Sequence, residues 1–341
     1  ADRVRADRVG GNVPHPAVRP PSTDPPLTDT TASGTLAHLT VWHRLSAFFY
    51  RHRGLKVALL LTPPLLWFGV FYLGSLASLL WQSLYRLDDF SGTVDETISL
   101  DTWKDLFTAA NRDVILRTMA MAAAVTVACV GLAYPIAYFM ARRASVRMKA
   151  ALFVLVMLPL WSSYLVRVYA WKLILAQEGV LTWFLDRLGL TFVLEWALDL
   201  PVIGGSGLSV SPLGQWIVFT YIWLPYMILP VAAALERIPN SFEEASDDLG
   251  AQPRTTFRKV VWPLALPGVV AGSIFTFALT LGDYIIPTVI GDSSPSIGES
   301  IYSYQGAAGN LPLAAAFSVV PIVIMVIYLT IARRLGAFES L

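Results

Sequence analysis

Six long apolar runs without a charged side chain dominate this sequence and restrict what it can fold into. They span residues 57–85, 118–141, 150–166, 213–235, 260–282 and 311–332. A helix needs about 20 apolar residues to cross about 30 Å of hydrocarbon. Five runs meet that length, and we expect the shorter third run to continue into its amphipathic flank "RVYAWKLILA". The pattern predicts an all-α integral membrane protein with six transmembrane helices.

The composition agrees with a membrane location and removes several kinds of chemistry. Hydrophobic residues make up 55% of the chain and charged residues 14%, whereas soluble domains carry about a quarter charged residues. The one cysteine, Cys129, cannot form an intrachain disulfide, and all four histidines precede the first apolar run, which leaves no zinc-type cluster. No G-x-x-x-x-G-K-[ST] sequence occurs, so we expect no cofactor, and no ATP bound through a P-loop, in this chain.

The sequence divides into three segments. Residues 1–35, rich in Pro, Arg, Asp and Thr, predict a disordered cytoplasmic tail. Residues 36–56 interleave aromatic residues and Leu with Arg and His, which predicts an amphipathic interfacial helix or an extension of the first membrane helix. Residues 57–341 form the six-span domain, including a charged loop at 236–259.

Basic residues predict the orientation of the spans. They concentrate in the links after the second and fourth runs, whereas the link 283–310 contains no Lys or Arg and the link 86–117 has seven acids against four bases. By the positive-inside rule, both termini and the two basic links are cytoplasmic. In the outer segment 167–212, "GVLTWFLDRLGL" predicts a short helix along the membrane surface.

The loop "NSFEEASDDLGAQPRTTFRK", residues 240–259, has the pattern of two short helices with a sharp turn between them. Ser241 and Glu244 have the spacing of a capping box, which would begin the first helix. Gly250 stands where a left-handed helix stop is expected, and Pro253 suits the first turn of the second helix.

The first of these helices is amphipathic. Phe242, Ala245 and Leu249 share one face, while Glu243, Asp247 and Asp248 fall mostly off it. An apolar face with a charged rim suits insertion into a groove of a partner protein. The alternative is that the loop only packs on its own bundle.

"EEASDDLGAQPRTTFRKVVWPLALPG" resembles the EAA loop of binding-protein-dependent ABC importer permeases. Glu244, Ala245 and Ser246 take the positions of the Glu-Ala-Ala triplet, Gly250 that of the glycine, Val260 that of the aliphatic residue, and Trp262 and Pro263 those of the Leu-Pro pair. Ser246 and Trp262 depart mildly from the pattern. The resemblance covers the chain from about residue 55 to its end.

The resemblance implies a type I ABC importer permease fold in the bacterial inner membrane, with 57–341 as a permease domain that is not an enzyme. It implies that the loop is a coupling helix seated in a cytoplasmic ABC ATPase dimer, which would carry the ATP and Mg. A second, similar permease subunit and an extracytoplasmic solute-binding protein are the other implied partners, with no nucleic acid. The implied coupling residues are Phe242, Glu243, Glu244, Ala245, Leu249, Gly250 and Phe257.

"LGDYIIPTVIGDSSPSIGESIYSYQGAAGNLPLAAAFSVV" resembles the corresponding region of spermidine/putrescine permeases. Asp283 and Tyr284 match a Gly-Asp-aromatic pattern, followed by Pro287 and by Ile290 with Gly291. The resemblance implies a polyamine as the substrate. Relatives that move thiamine, ferric iron or amino acid-like solutes share much of this pattern.

The residues themselves also favour a cationic solute. The predicted external links together carry more acids than bases. Asp283, at the outer end of an apolar helix, is a candidate for the substrate path with an amine as counter-ion; alternatively, it pairs with Arg167 or Lys172 or is solvated. Tyr284, next to Asp283, is a further candidate for the path. Aromatic residues that could contact an amine, or could instead be interface anchors or packing, include Trp161, Tyr164, Tyr221 and Trp223.

Two other classes of membrane protein are possible in principle. An intramembrane enzyme would need clustered ionisable groups within the spans, and the six runs contain none. An ion-coupled secondary transporter would need buried acids and usually more spans. Neither class accounts for the EAA-like loop.

Overall fold

The computed structural model describes residues 53–334, apart from residues 89 and 293. The predicted tail and nearly all of the predicted interfacial helix lie outside the described residues. The chain divides into two units, Ala1–Val70 and Phe71–Leu341. The described part of the first unit is helix α1, Arg53–Trp67, and the beginning of a π-helical segment, Phe68–Leu73.

The second unit is helical apart from its loops and one small hairpin. The hairpin pairs β1 (Arg86–Leu87) with β2 (Val94–Asp95) in antiparallel register. The helices are α2 (Gly74–Gln82), α3 (Asp101–Leu106), α4 (Ala109–Tyr138), α5 (Val146–Trp161), α6 (Tyr164–Ile174), α7 (Val180–Arg187), α8 (Thr191–Leu198), α9 (Pro212–Glu236), α10 (Asn240–Asp248), α11 (Pro253–Thr256), α12 (Trp262–Gly282), α13 (Ile285–Val289), α14 (Ile297–Gln305) and α15 (Leu311–Arg334). π-Helical segments, Phe139–Arg143 and Phe257–Val261, follow α4 and precede α12. The predicted outer helix in "GVLTWFLDRLGL" is α7.

Five of the six predicted spans are confirmed as continuous helical stretches in the described part of the chain. They are long and apolar enough to cross a membrane and cover Lys56–Gln82, Ala109–Arg143, Pro212–Glu236, Pro253–Gly282 and Leu311–Arg334. Each extends beyond at least one end of the apolar run that predicts it. The added residues include arginine and glutamate, which have good helix propensity and continue a helix once the apolar part has formed it.

The third run meets its flank at a sharp bend, and the two helices are long and apolar enough for a span only when taken together. Helix α5 ends at Trp161, and α6 begins at Tyr164 in a direction that differs by 95°. Ser162 and Ser163 take extended backbone conformations at the break. Pro159 lies in the last turn of α5, and the Ser162 hydroxyl donates to its carbonyl oxygen over 2.7 Å, a local bond that competes with helix continuation.

The main core lies where α9 packs against α4 and α12. Glycines on α12 allow the close contact between α9 and α12, because a Cβ at Gly268 would lie 2.6 Å from the Pro230 carbonyl oxygen. A Cβ at Gly272 would lie 2.6 Å from the Met227 sulfur. Small residues of this kind let membrane helices approach backbone to backbone, since packing rather than the hydrophobic effect drives helix association in lipid.

Candidate functional site

The turn between α10 and α11 is a Schellman motif, as predicted for a helix that stops at Gly250. Gly250 has φ +76°. Its N–H donates to the Asp247 carbonyl over 2.8 Å, and the Ala251 N–H donates to the Ser246 carbonyl over 3.1 Å. No atom lies within 4 Å of a Cβ built on Gly250. The glycine is therefore required for its left-handed backbone and not for lack of space.

The predicted capping box at Ser241 and Glu244 is wrong. Helix α10 begins at Asn240, the N-cap position is Pro239, and no side chain caps the helix. Pro239, with φ −64° and ψ 142°, leads the chain into the helix two residues earlier than a Ser241 cap requires. Ser241 is therefore already inside the first turn, where its hydroxyl cannot take the N-cap position. Pro253 does open α11 as predicted.

The apolar face of α10 is exposed. Phe242 is 51% exposed and Leu249 88% exposed, and Ala245 between them is also exposed. Glu244 on the rim is exposed as well. The helix therefore presents the amphipathic surface that the sequence predicts.

Two of the implied coupling residues lie against the chain's own bundle instead. The Phe257 ring meets Tyr134 of α4 edge to face, with centroids 5.6 Å apart. Glu243 Oε1 lies 3.3 Å from Nε of Arg142, in the π-helical segment after α4. The same guanidinium donates from Nη1 to Asn240 Oδ1 over 2.7 Å.

A second contact joins the two helices of the loop. The Ser246 and Thr256 hydroxyl oxygens are 2.8 Å apart and share a hydrogen bond. Ser246 stands where the EAA pattern has a second alanine, so this departure supplies a polar link across the turn.

At the far end of α12, Asp283 organises a second site. Its carboxylate accepts hydrogen bonds from the Tyr164 hydroxyl of α6 and, over 2.9 Å, from the Ile286 N–H at the beginning of α13. Among the residues that the structure describes, Asp283 forms no ion pair, so the alternative of pairing with Arg167 or Lys172 is not observed.

Asp283, Trp223 and Tyr284 line a cavity of about 300 Å³. The Trp223 ring stacks on that of Tyr164, with centroids 5.9 Å apart, and the Tyr284 ring stacks on that of Tyr302 at 5.0 Å. The Trp223 indole N–H is buried and has no hydrogen-bond partner in the described part of the chain. The cavity therefore offers a carboxylate and aromatic side chains to a ligand, whereas the indole N–H of Trp223 is enclosed by the protein.

Tyr221 and Trp161 do not join this cavity. Tyr221 packs on Trp171 of α6, with ring centroids 5.0 Å apart. Trp161 is 79% exposed at the end of α5. Of the six residues predicted for the substrate path, the structure brings together Asp283, Tyr284, Tyr164 and Trp223.

Within the part of the chain that the structure describes, no group of three or more His, Cys, Asp or Glu side chains is placed to hold a metal ion.

Residues 133–337 match the family described as the inner membrane component of binding-protein-dependent transport systems. The chain belongs to this family. The permease is 55% identical over 298 residues to the inner membrane ABC transporter permease protein YdcU of Escherichia coli (strain K12). This match covers 87% of this chain and 95% of that protein. The permease is also 28% identical over 247 residues to the spermidine/putrescine transport system permease protein PotB of Salmonella typhimurium (strain SL1344), a match that covers 72% of this chain and 82% of that protein.

The fold of the permease is also found in a solved structure. A chain of a bacterial ABC transporter involved in the import of the acidic polysaccharide alginate matches 85% of this permease and 99% of its own length, with a TM-score of 0.64 and 17% identity. The permease thus has the all-α fold of type I ABC importer permeases. It is a non-catalytic, multi-pass subunit of an inner-membrane importer, and family membership removes the readings as intramembrane enzyme or secondary transporter.

Sequence reasoning missed the residues that hold the permease's α10 in place. Arg142 was informative only as one of the basic residues that predict orientation, and the Ser246–Thr256 bond was not predicted. The available signal was the departure of Ser246 from the alanine of the EAA pattern. No local pattern links Arg142 with Glu243, since they are about a hundred residues apart.

Proposed function

We propose that the permease forms half of the solute path of an ATP-driven importer for polyamines such as spermidine and putrescine. The observation that carries the proposal is the Asp283 carboxylate, which has no basic partner among the described residues and lines an aromatic cavity at the predicted outer end of the fifth span.

The chemistry of the cavity suits a flexible aliphatic amine. An ammonium group would pair with Asp283, and aromatic faces such as those of Trp223 and Tyr284 attract cations and cover methylene groups. An anionic solute would instead meet an uncompensated carboxylate. The 28% identity to a permease named for spermidine and putrescine gives further support.

The other end of the path would couple to ATP hydrolysis through α10, the coupling helix. Its exposed Phe242 and Leu249 would enter a groove of a cytoplasmic ATPase dimer that binds the ATP and Mg. Closure of that dimer would move the helix and switch the path between inward and outward access. In this arrangement both termini are cytoplasmic, and the path is completed by a second, similar permease subunit and an extracytoplasmic binding protein.

Uptake of radiolabelled spermidine and putrescine in cells with and without the gene tests the substrate. Loss of uptake on deletion, with no competition from unlabelled amino acids, thiamine or ferric complexes, supports the proposal. Unchanged polyamine uptake in a strain without a redundant system refutes the polyamine assignment and directs attention to those other solutes.

The Asp283→Asn variant tests the site itself. It removes the charge but keeps the size, and we expect polyamine uptake to fall at least about tenfold, equivalent to ~1.4 kcal/mol of lost interaction. Asp292→Asn, in the same external link, is the matched control because Asp292 is exposed and bonds only locally to Ser294. Equal uptake by the two variants removes Asp283 from the path.

A further inference from the structure

Arg142 occupies an unusual place for an arginine in a loop between spans. Its side chain is only 7% exposed. It reaches the first turn of the coupling helix, where it bonds to Asn240 and pairs with Glu243. The adjacent Arg143 is exposed.

The electrostatics of this position do not favour stability. A cation near a helix N-terminus opposes the helix dipole, and burial of a guanidinium carries a desolvation cost. Glu243 offsets both effects only in part, because Nε and Nη2 of Arg142 and Oε1 of Glu243 make no hydrogen bond within the described chain. A buried pair with such incomplete bonding is better explained by where it places the helix than by the stability it adds.

A nearby pair provides an internal comparison. Lys149 at the beginning of α5 and Glu236 at the end of α9 lie 2.9 Å apart, but each side chain is about 40% exposed. Exposed pairs of this kind contribute little. Of these two pairs, only the one with Arg142 reaches the coupling helix itself.

Helix α4 also contacts the other side of the coupling loop. The rings of Phe257 and Trp262, at the beginning of the fifth span, pack against Tyr134 with centroids 5.6 and 5.0 Å away. The second span is thus connected to the coupling helix through Arg142 and to the fifth span through Tyr134.

We propose that Arg142 is a positioning residue that fixes the coupling helix to the second span, so that α4, α10 and the beginning of the fifth span move as one block. This inference rests on the proposed coupling role of α10. ATPase closure would then pull on the second span as well as on the fourth and fifth spans, which the loop joins directly.

The test measures movement and needs no transported solute. Tyr284→Cys places a thiol in the cavity at the other end of α12, and the one native cysteine, Cys129, is buried. In the complete transporter with its ATPase, reconstituted in liposomes, modification of this thiol by a charged maleimide is timed with and without ATP and vanadate. We expect the nucleotide to change the rate at least about fivefold in the parent protein.

Adding Arg142→Ala should reduce the nucleotide effect to less than about twofold, while the same amount of complex is recovered and ATP is still hydrolysed. Arg143→Ala, the matched control, should keep the full effect. The double variant that exchanges the two charges, Arg142→Glu with Glu243→Arg, should restore at least about half of the nucleotide effect. Neither Arg142→Glu nor Glu243→Arg alone should restore it.

Two outcomes overturn the inference. In the first, the nucleotide effect is equally large in Arg142→Ala and in Arg143→Ala. In the second, the variant with exchanged charges shows no larger nucleotide effect than either single charge reversal. Gly250→Val in the same assay examines the coupling role itself. A full nucleotide effect in that variant refutes the proposed coupling through α10. Loss of the effect in Gly250→Val, with full retention in Arg142→Ala, refutes only the role of Arg142.

Discussion

The loop 240–259 and the Asp283 cavity lie at opposite ends of α12, and their construction differs. The loop is built from consecutive residues, and its turn and its exposed apolar face follow from local sequence. The cavity is lined by Trp223 of α9 and by Asp283 after α12, and Tyr164 of α6 bonds to that carboxylate; the three residues are about sixty positions apart along the chain. An exposed helix face can be encoded locally, whereas a cavity between helices depends on how the helices pack.

The largest effect is expected where the loop depends on a single backbone conformation. Valine at position 250 must adopt φ near +76°, which costs about 1–2 kcal/mol for an L-residue and more for a β-branched one. The helix stop should fail, and ATP-dependent uptake per assembled complex should fall at least about tenfold. Gly250→Asn is the control, because asparagine tolerates this region. Equal uptake by the two variants would show that the turn conformation is unimportant.

The next prediction concerns the apolar face. Leu249→Glu should reduce the amount of ATPase that co-purifies with the permease at least about tenfold, since full burial of a leucine side chain contributes about 1.5 kcal/mol or more. The permease itself should remain folded, because Leu249 is 88% exposed. Val146→Glu is the matched control: Val146 is 87% exposed in the other predicted cytoplasmic link. If both variants retain the ATPase, the face does not dock.

A smaller effect is expected at the cavity, because several of its residues would contribute to binding of the solute. Tyr164→Phe removes the hydroxyl that orients the Asp283 carboxylate, a hydrogen bond to a charged group worth about 1.5–3 kcal/mol when intact. Solvation of the freed carboxylate should offset part of the free energy of the lost hydrogen bond. We therefore expect KM for spermidine to rise only about threefold, with the maximal rate unchanged. Tyr221→Phe, which alters a ring outside the cavity, should leave both unchanged. Identical kinetics in the two variants would show that the cavity geometry has no bearing on uptake.

The smallest effect is expected at the Ser246–Thr256 bond. Ser246→Ala restores the alanine of the EAA pattern and should change uptake less than about threefold, since a neutral hydrogen bond contributes about 1 kcal/mol net. Thr256→Val should match it, and the double variant should be no worse than either one because the two changes remove the same bond. Additive losses in a double-mutant cycle would mean that the hydroxyls act separately.

Sequence was sufficient where a feature depends on neighbouring residues. The apolar runs predict six spans because length and hydropathy decide membrane insertion, and five of them are continuous helical stretches. Gly250 and Pro253 predict their turn because backbone sterics decide it. The same local reasoning failed at Ser241, where the geometry of Pro239 determines the helix start. It also did not predict the bend in the third span, where Ser162 and Ser163 interrupt an otherwise apolar pattern.

Features that depend on packing could be predicted only in part. Asp283 and Tyr164 are separate candidates in the sequence, and nothing in it places the hydroxyl of one on the carboxylate of the other. Trp161 and Tyr221 are equally aromatic candidates, yet neither lines the cavity. The burial of Arg142 follows from the position of α10 beside α4, which no pattern of charges along the chain contains.

The 95° elbow at Ser162–Ser163 has a consequence for hydration. Helix α5 has 16 residues and is therefore only about 24 Å long, less than the roughly 30 Å of a hydrocarbon layer. Backbone groups released at a break require water or another chain, because lipid cannot satisfy them. Both serines are exposed in this chain, so in the bilayer the backbone groups freed at the elbow need either a local path for water or the surface of a neighbouring subunit, next to the helix that carries Tyr164.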